Sequence, residues 1–116
     1  LNLYGNQLSA LNGLETLTQL KTLFLNENRL TALNSLETLT RLTKLWLGGN
    51  KLTDVKGLET LTQLRTLHLH SNQLTDVNAL GTLTQLRVLY LADNPDLTKA
   101  HIDALQVTLP ECKIYF

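Results

Sequence analysis

The chain has 116 residues but only one cysteine, two prolines and no methionine, and its acidic and basic residues balance. A lone cysteine, Cys112, excludes an internal disulfide. The net charge of zero argues against bulk attraction to nucleic acid or to an anionic membrane. Because no apolar run approaches the roughly 18 residues that span a bilayer, membrane insertion is not expected.

A signal-peptide pattern and Asn-x-Ser/Thr glycosylation acceptors are also missing. With the single cysteine, these absences favour a reducing or bacterial setting, without deciding between the cytoplasm and a bacterial cell surface. The chain does not begin with Met and opens inside a repeat. We therefore expect a leader or further repeats before Leu1, or an N-terminal edge that contacts another chain.

Leucine is abundant, with 31 residues, and it follows a period of 22 residues. A period of this length is typical of a solenoid, in which each supersecondary unit buries its apolar face only against its neighbours. The five expected units start at Leu1, Leu23, Leu45, Leu67 and Leu89, and a matching column holds Asn6, Asn28, Asn50, Asn72 and Asn94.

Each unit predicts a short strand, a turn and a compact return segment. Alternating leucines such as Leu23 and Leu25 predict a strand with inward side chains at every second position. The asparagine that follows can donate to and accept from backbone groups of the turn. Leucine at every third residue, as at Leu14, Leu17 and Leu20, suits short 3₁₀ turns or extended rungs better than an α-helix.

The C-terminal segment departs from the period and predicts a cap over the open end of the core. The segment 94–97 carries one extra residue, and Thr98 can then cap a helix of about three turns. We divide the chain into repeats at 1–97 and a cap at 98–116. The cap is expected to contain a helix at about 98–109 and a strand at about 112–116, with Ile114 and Phe116 inward and Tyr115 outward.

These residues resemble the leucine-rich repeat family, whose consensus is Leu-x-x-Leu-x-Leu-x-x-Asn-x-Leu. The 22-residue unit, with Leu-Thr-Asp-Val at 52–55 and 74–77, is similar to the internalin-like class, which also includes eukaryotic phosphatase-regulator homologues, and it favours a bacterial source. The resemblance implies an α/β solenoid, a curved right-handed superhelix with a parallel β-sheet on the concave face. It further implies 3₁₀ or extended rungs on the convex face, a C-terminal helix–strand cap, and protein–protein binding without catalysis.

Positions that the period does not dictate are free to serve a function. The residue between the two inward leucines of each strand faces away from the core, and four of the six aromatic residues fall in this one column. Since strands lie about 4.8 Å apart, the column predicts a ribbon roughly 20 Å long. It contains Asn2, Phe24, Trp46, His68, Tyr90 and, by alignment of the cap, Tyr115, beside a second column of Tyr4, Asn26, Gly48, His70 and Ala92.

Two interpretations of the ring column stay open. Exposed aromatic residues on a rigid concave face are typical anchors of a protein interface. Alternatively, the rings only stabilise the sheet through cross-strand stacking. Strand propensity alone does not explain why the inward positions are aliphatic. The small residues Gly48, Gly49 and Ala92 predict free space beside the rings.

Charged residues are sorted by position as well. Basic residues precede the inward strand residues and predict a rim beside the ribbon, which is either a solvated surface or a complement to acidic groups of a partner. The rim holds Lys21, Lys44, Arg65, Arg87 and Lys113, and an acidic column on the convex side holds Glu15, Glu37 and Glu59. The predicted partner-binding set is Tyr4, Phe24, Asn26, Trp46, His68, His70, Tyr90, Lys44, Arg65 and Arg87.

Other chemistry is sparse. His68 and His70 alternate along one strand, but two histidines without a further ligand make an incomplete metal site. The chain lacks a phosphate-binding loop, a nucleophile elbow and paired catalytic carboxylates, so neither catalysis nor a cofactor is expected. We therefore predict a non-catalytic module that binds a protein or peptide on the concave face.

Two alternative hypotheses stay open. The chain could be a substrate-selecting or regulatory segment of a larger enzyme. It could also be a designed or minimised scaffold, because the heptamer Leu-Glu-Thr-Leu-Thr-Gln-Leu occurs unchanged at 14–20 and at 58–64.

Overall fold

A computed structural model describes every residue from Leu1 to Phe116. Five short parallel strands form one open sheet, and strands that are neighbours in sequence are neighbours in the sheet. The predicted solenoid with a parallel sheet is confirmed. The strands are β1 (Thr22–Phe24), β2 (Lys44–Trp46), β3 (Thr66–His68), β4 (Val88–Tyr90) and β5 (Lys113–Tyr115).

The return segments use the three-residue leucine spacing as predicted. Asn34–Leu36 and Asn78–Thr82 are 3₁₀ helices. In the first unit the amide of Leu17 donates to the carbonyl of Leu14 at 2.9 Å, which is the same hydrogen bond between residues three apart. Each return segment therefore places its leucines against the core without forming an α-helix.

The leucine columns meet in a single core of 29 buried residues. A ladder of buried asparagines (Asn28, Asn50, Asn72 and Asn94) ties each repeat to the one before it. Nδ2 of Asn50 donates at 3.0 Å both to Leu47 in its own repeat and to Leu25 in the preceding one. Its Oδ1 accepts from the amide of Leu30 at 3.0 Å. The asparagine ladder therefore satisfies turn groups that the strands leave unpaired.

The first unit departs from the prediction that every unit forms a strand. Only an isolated bridge joins Asn2 to Phe24, although the amide of Leu3 donates to the Phe24 carbonyl at 2.8 Å. Asn6 is exposed, and its Nδ2 contacts only the carbonyl of Tyr4, at 3.2 Å. The asparagine ladder therefore begins at the second unit, where a preceding repeat supplies backbone partners.

A helix and the last strand follow the fifth unit. Helix α1 (Lys99–Thr108) buries Ile102 and Leu105, and at its start Thr98 Oγ1 accepts from the amide of His101 while the His101 ring accepts from the amide of Thr98. Such a reciprocal pair satisfies two amides that have no partner within the helix. No helix of the chain has the length and apolar character needed to cross a membrane.

Strand β5 pairs with β4 in the expected alignment, with Ile114 opposite Leu89 and Tyr115 opposite Tyr90. The prediction of an inward Phe116 is wrong, since this residue is 54% exposed. It lies beyond the last residue of β5, where no further rung covers it. The division of the chain into repeats at 1–97 and a cap at 98–116 stays a prediction.

Candidate functional site

The outward residues between the leucines form a continuous stack of rings, which we call the ring ribbon: Phe24, Trp46, His68, Tyr90 and Tyr115. Successive ring centroids lie 4.4, 5.0, 4.3 and 4.5 Å apart, with interplanar angles between 7° and 27°. These spacings match the separation of strands in a sheet. The parallel register therefore imposes the stacking.

Stacking decides which part of each ring a partner can reach. The rings from Phe24 to Tyr90 are half-buried because neighbouring rings cover their faces. The edges remain accessible, and the edge of an aromatic ring carries partial positive charge. The ring ribbon therefore offers a row of ring edges, with Lys113 Nζ lying 5.1 Å from the centroid of the terminal Tyr115 ring.

The second outward column adds polar groups beside the ring ribbon. Tyr4 is 57% exposed and does not take part in the stack. Asn26 is half-buried, and its Oδ1 is buried without a hydrogen-bond partner. A buried acceptor that lacks a donor is costly, and a partner could reach this oxygen only if the Asn26 side chain moved.

The prediction of free space beside Trp46 is wrong at both Gly48 and Gly49. A Cβ on Gly48 would collide with the imidazole of His70, and one on Gly49 would collide with the carboxylate of Glu27. The absence of side chains at these positions therefore makes room for side chains of neighbouring repeats. The concave face is filled there, and it presents His70 and Glu27.

The two histidines share one face of β3 and its continuation. Their ring centroids lie 6.0 Å apart in an edge-to-face arrangement. Burial within the stack lowers the pKa of His68, and the positive charge of a protonated His70 lowers it further. Nowhere in the chain do three or more His, Cys, Asp or Glu side chains come together as a potential metal site.

The basic residues lie in two columns and do not form the single predicted rim. Lys44 is part of β2 and pairs in register with Thr66, so it lies on the same face as the rings. Arg65 and Arg87 each come one residue before a strand and are exposed at the edge where β3 and β4 begin. Lys44 therefore belongs to the ring face, whereas the two arginines border it.

The two arginines have different surroundings. Nη1 of Arg87 donates to the carbonyls of Thr84 and Leu86, both at 3.1 Å, and its Nη2 lies 3.4 Å from Glu111 Oε2. The Arg65 side chain makes no hydrogen bond and no ion pair within the chain. The predicted set omits Glu111 because this residue lies in the cap, outside the repeat that guides the prediction.

Comparison with known proteins now identifies the family. The family model for leucine-rich repeats, which describes two copies, matches residues 18–60, 40–81 and 62–105. The chain therefore belongs to the leucine-rich repeat family, whose members are generally protein-binding modules. A search of curated proteins found no match.

Solved structures share the whole architecture. An internalin of Listeria monocytogenes matches 98% of this chain, with a TM-score of 0.90 and a sequence identity of 32%. A leucine-rich repeat protein of Leptospira interrogans matches 100% of this chain, with a TM-score of 0.88 and a sequence identity of 33%. A chain of the SNF/U2A′ complex of Drosophila melanogaster matches 99% of this chain, with a TM-score of 0.82 and a sequence identity of 27%. The chain spans 33% of the internalin, 30% of the Leptospira protein and 71% of the Drosophila chain.

Proposed function

We propose that this chain is a non-catalytic recognition module that binds a protein or peptide on its concave face. The ring ribbon is the observation that carries the proposal. Cross-strand stacking supplies about 0.2–1 kcal/mol per pair, which an aliphatic outward column could also approach. A row of partly exposed rings on a rigid sheet is instead the composition of an interface core. The Drosophila neighbour was itself solved as a complex, SNF/U2A′.

The roles within the site follow from position. Trp46, Phe24, Tyr90 and His68 would serve as anchors, since their ring edges form the centre of the face. Lys44 lies on the same face and supplies a cation for an acidic group of the partner.

The second column would supply hydrogen bonds. Asn26 would contribute through the exposed part of its half-buried side chain, because its Oδ1 is buried. Tyr4 and His70 would extend the contact along the same column. Arg65 and Arg87 would border the interface at the edge where their strands begin.

Selection of peptides from a random library tests the proposal. The library is panned against the immobilised parent chain, and the selected peptides are measured against a Trp46→Ala variant. We expect binding to weaken at least about tenfold, because truncating a central aromatic anchor costs about 2 kcal/mol or more.

A matched control lies on the convex side. A triple variant with Gln at Glu15, Glu37 and Glu59 removes the acidic column but leaves the ring ribbon intact. The selected peptides should bind it as they bind the parent. Peptides that bind Trp46→Ala as well as the parent would show that the ring ribbon is not the interface.

The source and setting are part of the proposal. The internalin and the Leptospira protein are bacterial, which supports a bacterial source and leaves the cytoplasm and the bacterial cell surface as the alternatives.

A further inference from the structure

Two arginines and a glutamine surround an open cavity at the edge of the sheet. Arg65, Gln85 and Arg87 line this cavity, whose volume is about 200 Å³, and no acidic or hydrophobic residue contributes to its wall. The arginines occupy equivalent positions in adjacent repeats, since the amide of Arg87 donates to the carbonyl of Arg65 at 2.9 Å. The solenoid thus places two guanidinium groups side by side.

This arrangement leaves the positive charge of Arg65 uncompensated. Arg65 has no acidic partner within the chain, and the neighbouring Arg87 repels it. Two backbone carbonyls, of Thr84 and Leu86, hold Arg87 in position before any ligand arrives. A guanidinium group has a planar fork of donors that matches the oxygens of a carboxylate or phosphate, and the Gln85 amide adds further donors.

We propose that Arg65, Arg87 and Gln85 form a subsite for an oxyanion, the carboxylate or phosphate group of a bound partner. Anion binding itself is independent of the proposed function, but the assignment of the anion to a protein partner rests on it. Arg65 and Arg87 each precede a ring of the ribbon by three residues, so their Cα atoms lie about 10 Å along the strands from those of His68 and Tyr90. A partner that occupies both sites therefore carries its anionic group next to its apolar contact, on the side where β3 and β4 begin.

Glu111 acts as an internal competitor of this subsite. Its Oε2 lies 3.4 Å from Arg87 Nη2, and both side chains are largely exposed. An exposed ion pair of this kind is weak, so an external oxyanion can displace it. Removing the Glu111 charge should therefore strengthen anion binding, whereas removing the Arg65 charge should weaken it.

Titration with inorganic phosphate, and separately with acetate, tests the subsite by NMR of the arginine Nε–H signals at constant ionic strength maintained with sodium chloride. We expect saturable shifts of the Arg65 and Arg87 signals in the parent chain. Arg65→Gln should weaken anion binding at least about tenfold, because a hydrogen bond between two charged groups is stronger than one between neutral groups. Glu111→Gln should tighten it about two- to fivefold, the range for an exposed ion pair.

Arg41 is the matched control, since its Nη1 donates to the Gln19 side chain at 2.8 Å and the equivalent positions of the adjacent repeats hold Gln19 and Gln63. Arg41→Gln should leave anion binding unchanged. A preference for phosphate or for acetate would identify the chemical source, and either one supports the subsite. Shifts that fail to saturate, or an equal effect of Arg41→Gln and Arg65→Gln, would overturn it. Peptide binding that depends on Trp46 would then still support the proposed function, so the two failures are distinguishable.

Discussion

Two columns of side chains cross the same repeats, and they differ in burial, in residue identity and in hydrogen bonding. The asparagine ladder is buried and has one identity throughout, and each member hydrogen-bonds the backbone of its own repeat and of its neighbour. The ring ribbon is partly exposed, and its five members have four identities. Both contribute one residue per repeat, so the strand register positions them equally well.

The difference shows how a repeat separates scaffold from function. A buried amide must satisfy backbone groups whose geometry is the same in every repeat, so only one residue type fits. An outward side chain needs only to pack against its neighbours in the column and to tolerate contact with water, and many residue types can do so. A position whose residue varies among otherwise similar repeats is therefore a position that the scaffold leaves free.

The asparagine ladder offers the largest expected effect. Asn50→Ala would leave the buried amide of Leu30 without its acceptor, and it would remove one of the two asparagine donors from the carbonyls of Leu25 and Leu47, which keep Asn28 and Asn72 respectively. We expect the free energy of unfolding to fall by about 2 kcal/mol, as measured by urea denaturation.

The first unit contains the control for this prediction. Asn6→Ala removes the equivalent residue, but Asn6 is exposed and makes one side-chain contact, so a change within about 0.5 kcal/mol is expected. Equal losses in the two variants would contradict the structural role of the asparagine ladder.

The ring ribbon should respond more mildly. Trp46→Ala removes two stacking contacts, with Phe24 at 4.4 Å and with His68 at 5.0 Å. We expect the chain to stay folded and its free energy of unfolding to fall by about 1 kcal/mol, since each cross-strand pair contributes less than a core hydrogen-bond network. A loss as large as that of Asn50→Ala would mean that the ring ribbon is part of the scaffold, and the contrast between the columns would fail.

The sequence predicts the backbone better than the surface, and particular residues show why. Leu45, Trp46 and Leu47 alternate inward and outward because a strand has a period of two, which depends on backbone geometry alone. By contrast, the His70 ring lies over Gly48 because a residue of the next repeat turns into the space that glycine leaves. Such contacts depend on side-chain rotamers, which the repeat period does not specify.

The cap shows the same limit. The extra residue in the segment 94–97 interrupts the period, and no repeat position then predicts which side chain lies beside which. The ion pair of Arg87 with Glu111 crosses from a repeat to this irregular region. The predicted set therefore contains Arg87 but not its partner, and it treats Lys44 as a neighbour of the two arginines.

The smallest expected effect is a dependence of stability on pH that arises in the ring ribbon. His68 has its ordinary pKa of about 6.5 in the unfolded chain, whereas burial, and then the charge of His70, lowers it in the folded chain. Between these two values the unfolded chain binds more protons. Stability is therefore full above about pH 6.5 and is lost as the pH falls through the folded-state pKa.

His68→Phe should reduce this dependence, because phenylalanine can still stack between Trp46 and Tyr90 but does not titrate. Urea denaturation at about pH 7.5 and at about pH 5, on either side of the ordinary histidine range, would measure the effect. Trp46→Phe is the control, since it alters a ring of the same ribbon and keeps His68. If both variants lose the same stability on acidification, the loss does not arise from the His68 imidazole. The dependence on pH would then not separate the ring ribbon from the asparagine ladder, which carries no titratable group.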